Sequence, residues 1–213
     1  MADSKFDICN KAMVLVGANT ITSFTENTTE SKVAGQLYEA TLENLITRCR
    51  WRFATKQAQL SKNSTNPDAR YESSYALPSD ALVIHTVTVA DDVIKYDRYG
   101  QNLFTDTTSS DTVIADYTFQ PSESDFPPYF KQTLVFELAS LFAGAIARND
   151  QLSELYHKRS IAQLAIAKGL DAQAQTTRRM EVERFRNVRN HTALSGIRYD
   201  ELWQDKGFIK LVF

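Results

Sequence analysis

The chain has 213 residues, 43% of them apolar, with 24 Lys plus Arg against 26 Asp plus Glu. That is enough apolar material for one large domain or a domain carrying an insertion, and it excludes wholesale disorder. The near-neutral balance argues against a protein whose main task is to grip DNA, because such proteins are usually more basic.

No apolar stretch approaches the ~20 residues that a bilayer span needs, and the opening MADSKFDIC lacks the apolar run of a signal peptide. Cys9 and Cys49 stand in no metal-ligand or redox spacing. The expectation is two reduced, buried small hydrophobes in a protein made in a cytoplasm.

In chain order, "DSKFDICNKAMVLVGANTI" reads as a helix. Asp3 or Ser4 can cap it, Phe6, Cys9, Met13 and Val16 recur at helical spacing, and Gly17 offers a left-handed stop. The next helix is expected to open on Asn27 with Glu30 three residues later, a pattern resembling a capping box. It carries a stripe of Val33, Leu37, Thr41 and Leu45, flanked by Tyr38 and Leu42, and ends near Arg50. From Trp51 the period changes. Residues 53–60 lean toward alternation, 82–90 are rich in β-branched residues, and two further strand-like runs are broken by Gly100 and by the polar cluster 107–111. Residues 51–120 therefore predict a small antiparallel meander, with "STNPDARYESSYALPSD" as its long loop.

Helical period returns at "DFPPYFKQTLVFELASLFAGAIARND", where Pro127 and Pro128 suit a helix entrance. Phe130, Leu134, Leu138, Leu141 and Ala145 continue an apolar stripe, with Ile146 beside it. A further helix is expected from about Asp150, with Leu152, Leu155, Tyr156, Ile161 and Leu164 apolar. Nothing in the sequence forces it to stop at Ala174, since Gly169 only weakens it. The last residues carry Leu194, Ile197, Tyr199, Leu202, Trp203, Phe208, Ile209 and Phe213 without a regular period. So apolar a terminus is expected to dock on its own domain or on a neighbour. The expected class is α+β. A helical bundle from 1–50 and 126–185 carries an inserted antiparallel β domain at 51–125 and an extended C-terminal docking tail at 186–213.

Catalysis needs converging groups, and the sequence offers few. His85, His157 and His191 are scattered, with no HExxH, and His85 reads as a strand side chain. The doublet Asp91–Asp92 reads as a solvated turn. With seven glycines and no phosphate-loop, dinucleotide or nucleophile-elbow motif, the chain is not expected to be an enzyme and no cofactor or metal is expected.

Charge is more informative. Between Gly100 and Phe130 there is no cation, while Asp106, Asp111, Asp116, Glu123 and Asp125 are acidic. Arg178, Arg179, Arg184, Arg186, Arg189 and Arg198 crowd the segment 178–198. These are either solvated faces, complementary docking surfaces, or, for the arginines, a phosphate-contact strip.

"RCRWRFATKQAQL" sets Arg48, Arg50 and Arg52 between Cys49, Trp51 and Phe53. It reads as the junction of helix and sheet. Trp51 and Phe53 are its apolar pegs, and the arginines are solvated or paired at a subunit contact.

Taken in order, "ICNKAMVLVGANTITSF", "YEATLENLI", "WRFATKQAQL", "YALPSDAL" and "FPPYFKQTLVFELASLFAGAIARND" resemble the tail tubular protein A family of short-tailed phages, the head-to-tail adaptors. The resemblance spans roughly residues 6–175 and fades from about Arg178. It implies a helical core with a β extension, a twelvefold ring between portal protein and tail nozzle (tail tubular protein B), and genomic DNA passing through the lumen without base-specific contact. It also implies a place in the virion neck, with tail fibres as possible neighbours. It carries over no active site. On this reading residues 106–125 are a candidate lumen or partner face, Arg178 to Arg189 a candidate basic interface, and Trp203, Phe208, Ile209 and Phe213 anchors on the portal or a neighbouring subunit. The rival readings are a nucleic-acid-binding protein using 178–198 and an enzyme with a pocket in its β domain.

Overall fold

The computed structural model describes residues 3–64, 70–90, 92–107 and 111–174. The first helix, α1 (Lys5–Val16), begins where the sequence offers its first good cap. The Ser4 hydroxyl accepts from the Asp7 amide, and the Asp7 carboxylate accepts from the Ser4 amide at 2.9 Å, so two otherwise orphaned donors are satisfied. Gly17 ends the helix with φ +76°, a conformation that a side chain would strain.

Helix α2 (Thr29–Thr47) starts one residue later than the Asn27 pattern implied. Thr28 is the cap, its hydroxyl accepting from the Ser31 amide, while Asn27 instead accepts from the Lys32 ammonium and Glu30 from Asn19. The helix also closes earlier than expected, with Arg48 as its C-cap.

Helices α3 (Pro128–Ala145) and α4 (Asp150–Gln173) complete the helical part. Pro127 caps α3 and Pro128 opens it, so the missing amide hydrogens cost no intrahelical bond. Asn149 caps α4 by accepting from the Leu152 amide. Helix α3 is the element against which α1, α2 and α4 all pack, which explains why its apolar residues extend around most of its circumference. Its Phe130, Leu134, Leu138 and Phe142 are fully buried beside Ile8, Met13, Leu42 and Leu45. Leu141, expected in that stripe, instead faces outward at 40% exposure. On α4 the buried face is Tyr156, Ser160, Leu164, Ala167 and Asp171, while Leu155 and Ile161 point to solvent.

The chain is α+β as expected, and the insertion between α2 and α3 is antiparallel β but not a meander. It contains β1 (Thr55–Gln59), β2 (Ser61–Lys62), β3 (Ser73–Ala76), β4 (Val83–Val89), β5 (Asp92–Val93), β6 (Asp97–Tyr99), β7 (Asn102–Thr105) and β8 (Val113–Thr118). These form two antiparallel four-stranded sheets, ordered β1-β8-β4-β5 and β2-β3-β7-β6.

Strand β8 pairs with β1, Thr118 opposite Thr55, so the chain leaves the insertion beside the place where it entered. Leu60, between β1 and β2, carries the chain from one sheet to the other while its amide donates to the Val113 carbonyl. Strand β3 lies inside the predicted loop. Its sequence, SSYA, has no β-branched residue, yet Ser73, Ser74 and Tyr75 are buried. Pairing with both β2 and β7, and the bonds from the Ser73 and Tyr75 hydroxyls to Thr107, override its local preference. A separate apolar cluster of Tyr75, Val87, Leu103, Val113 and Ala115 holds the insertion together. Asp92 is exposed in β5; Asp91 lies outside the described residues.

Candidate functional site

The stretch 48–54 builds the seam between helices and sheets. Trp51 is 1% exposed. Its indole meets the Phe130 ring edge-on at 5.2 Å and the Phe53 ring at 5.9 Å, and Phe53 touches Phe126 and Phe130 in turn. The indole N–H donates to the Leu45 carbonyl at 3.0 Å, satisfying one of the acceptors that the end of α2 leaves free. The Thr55 hydroxyl donates to the Trp51 carbonyl at 2.6 Å, and the Phe119 amide donates to the Ala54 carbonyl at 2.9 Å. The peg, the entry to β1 and the exit from β8 are therefore tied at one point.

Two of the three arginines pair within the chain, and the third contributes its backbone. Arg48 reaches Glu137 of α3 at 3.0 Å and bonds the Asn44 side chain, while Arg50 reaches Asp116 of β8 at 3.1 Å. The backbone amide of Arg52 donates to Asp171 of α4 at 3.0 Å. Two carboxylates that the sequence did not single out thus organise the seam. Glu137, 9% exposed, also accepts from the Ser160 hydroxyl of α4. Asp171, 5% exposed, also accepts from the Tyr129 hydroxyl at 2.9 Å. Burial, and then the hydrogen bond donated to Asp171 and that carboxylate's charge, push the Tyr129 phenol up to about 12.

A buried carboxylate is costly unless its lone pairs are met, and both of these meet donors from two other elements. The signal for them was present in the sequence. Each is an acid set within an otherwise apolar helical face, "LVFELAS" and the Tyr156-to-Asp171 line.

The acidic run is dispersed over several elements. Asp106 is exposed after β7, Asp111 precedes β8, and Asp116 is committed to Arg50. Glu123 and Asp125 lie in the 3-10 turn Glu123–Asp125 before α3; Glu123 accepts from the Tyr38 hydroxyl at 3.4 Å, and Asp125 from Ser122. His85 occupies the bulge between Ile84 and Thr86 of β4, in hydrogen-bond contact with the Thr118 hydroxyl at 2.6 Å. Burial, with Arg50 nearby, holds its pKa below the ordinary imidazole value. Cys9 is buried, which pushes its thiol up to about 12, and half-buried Cys49 is shifted the same way for the same reason. The arginines 178–198 and the anchors Trp203, Phe208, Ile209 and Phe213 lie outside the described residues.

Two hollows open on the surface of the helical part. An open groove of about 570 Å³ is lined by Asp3, Asp7, Asn10, Lys11, Val14, Leu15, Gln132 and Val135. A smaller cleft of about 270 Å³ borders the Arg48–Glu137 pair, beside Thr41, Asn44 and Leu141. Among the described residues no three His, Cys, Asp or Glu side chains converge as a metal site requires, and no helix is long and apolar enough to cross a membrane. No protein-family model matches the sequence, and a search of curated proteins finds no match.

Proposed function

We propose that this chain is a structural adaptor of a short-tailed phage, joining the portal protein of the capsid to the tail nozzle as a ring through which genomic DNA passes. The observation that carries the reading is the surface of α4. A helix whose inner face is tightly packed also leaves Leu155, Ile161, Ile166 and Leu170 between 42% and 56% exposed. Apolar side chains concentrated on one outward element are expected where another protein covers them.

The ordered resemblance to the tail tubular protein A family says what kind of partner that would be. The braced seam suits the task, because a part that transmits force between head and tail needs its two modules fixed to each other. The proposed place is the virion neck, after synthesis in the host cytoplasm, with the apolar C-terminus as the segment that reaches the portal or a neighbour.

The test is to mix the purified chain with portal-bearing heads and measure co-sedimentation, with electron microscopy of the product. Stoichiometric attachment as a ring at the portal is expected. Failure to attach, with salt-sensitive binding to bare DNA instead, would replace the adaptor by a nucleic-acid-binding protein.

A further inference from the structure

Three of the four large exposed apolar residues on α4, Leu155, Ile166 and Leu170, share one face, while Ile161 lies on another. At 3.6 residues per turn, Leu155, Arg159, Ala162, Ile166 and Leu170 follow one line along the helix. That line lies roughly a third of a turn from the buried line through Tyr156 and Leu164. It forms a ridge about 22 Å long at 1.5 Å per residue, interrupted by one cation. The Arg159 guanidinium lies over the Tyr156 ring, 5.4 Å from its centre, which fixes where that charge sits on the ridge.

The groove between α1 and α3 is concave where the ridge is convex. Its floor is apolar, with Val14 and Leu15 at 64% and 37% exposure beside buried Val135. On its rim Asp3 is shared by Lys11 at 2.7 Å and Lys131 at 3.5 Å. Asp7 is held instead by the Ser4 hydroxyl and amide, which keep its carboxyl below the ordinary range and therefore ionised at neutral pH. A volume of about 570 Å³ has room for several leucine-sized side chains.

From these complementary shapes and charges we infer that the α4 ridge of one copy seats in the α1–α3 groove of the next. Ile166 and its neighbours would fill the apolar floor, and Arg159 would approach Asp7. One chain then carries two different matching faces, which is what a head-to-tail ring requires and a self-complementary dimer does not. The Tyr156 hydroxyl donates to the Leu15 carbonyl at 2.9 Å, and α1 and α4 both pack on α3, so the ridge and the groove are held on one helical framework within each copy. The inference deepens the adaptor reading, since it rests on that reading for ring closure, but the contact can be tested without any portal.

The experiment is sedimentation velocity on the full chain and on Val14→Glu and Ile166→Glu, alone and mixed. Both positions are exposed, so unchanged thermal melts are expected to show that each variant folds. The wild-type chain should sediment as species that grow with concentration, and each variant alone as a monomer. The equimolar mixture should give a one-to-one dimer and nothing larger, because it retains one intact ridge and one intact groove. A wild-type chain that stays monomeric across the concentration series would overturn the proposal. So would variants that assemble like wild type, a variant that dimerises alone, or a mixture of folded variants that forms no dimer. If copies fail to associate this way while attachment to portal-bearing heads persists, the contact is wrong and the adaptor reading stands.

Discussion

Replacing Trp51 by alanine tests whether the seam is a keystone of the folded unit. A buried indole removes roughly 200 Å² from water, and at ~25 cal/mol per Å² this is about 5 kcal/mol, an upper bound because the unfolded chain is itself partly collapsed. Large-to-small aromatic truncations in cores cost about 3–5 kcal/mol. Here the cavity would open against Phe130 and Phe53, and the Leu45 carbonyl would lose its donor, so the expected loss is about 4 kcal/mol. For a unit of this size that lowers the melting temperature by roughly 8–16 °C. Trp51→Phe keeps the ring contacts and loses the N–H donor and some volume, for about 1–2 kcal/mol. Urea unfolding followed by far-UV circular dichroism would read both, with the dependence on denaturant unchanged. A Trp51→Ala loss below about 1 kcal/mol would refute the reasoning, because no buried, well-packed indole can be removed so cheaply.

Asp171→Ala strands the Arg52 amide and the Tyr129 hydroxyl, for an expected loss of about 2–4 kcal/mol, with Asp171→Asn recovering part of it as an acceptor; hydrogen exchange at the Arg52 amide should rise at least about tenfold. Under native conditions near neutral pH, iodoacetamide should modify Cys49 more slowly than a free thiol and leave Cys9 untouched, and denaturant should expose both, because burial keeps each thiol protonated. His85 binds a proton less readily folded than unfolded, so its contribution is complete above the ordinary imidazole value of about 6.5 and is lost as pH falls through the depressed folded value. The urea midpoint should therefore drop between about pH 7 and pH 5, and His85→Gln should flatten that window. Asp3, Asp7, Glu26 and Glu154, whose values are also lowered, act below that range.

The sequence by itself determined the helices and where the structure changes type. Ser4 and Gly17 bound α1, Pro128 opens α3, Asn149 precedes α4, and the loss of helical period at Trp51 marks the seam. These are local effects: a cap, a stop or an apolar stripe acts within a few residues, so the chain carries its own signal. Only the tertiary structure decided the rest. Strand β3 has no local preference for a strand and exists because β2 and β7 flank it. Two sheets form rather than a meander because β8 returns between β1 and β4, a pairing between residues far apart in sequence. Glu137 and Asp171 look like misplaced surface acids until Arg48, Ser160, Tyr129 and the Arg52 amide are brought to them. In "RCRWRF" the pegs were legible from their type, but the partners of its arginines were not, because hydrogen bonds and ion pairs are made by proximity in space, which no spacing along the chain encodes.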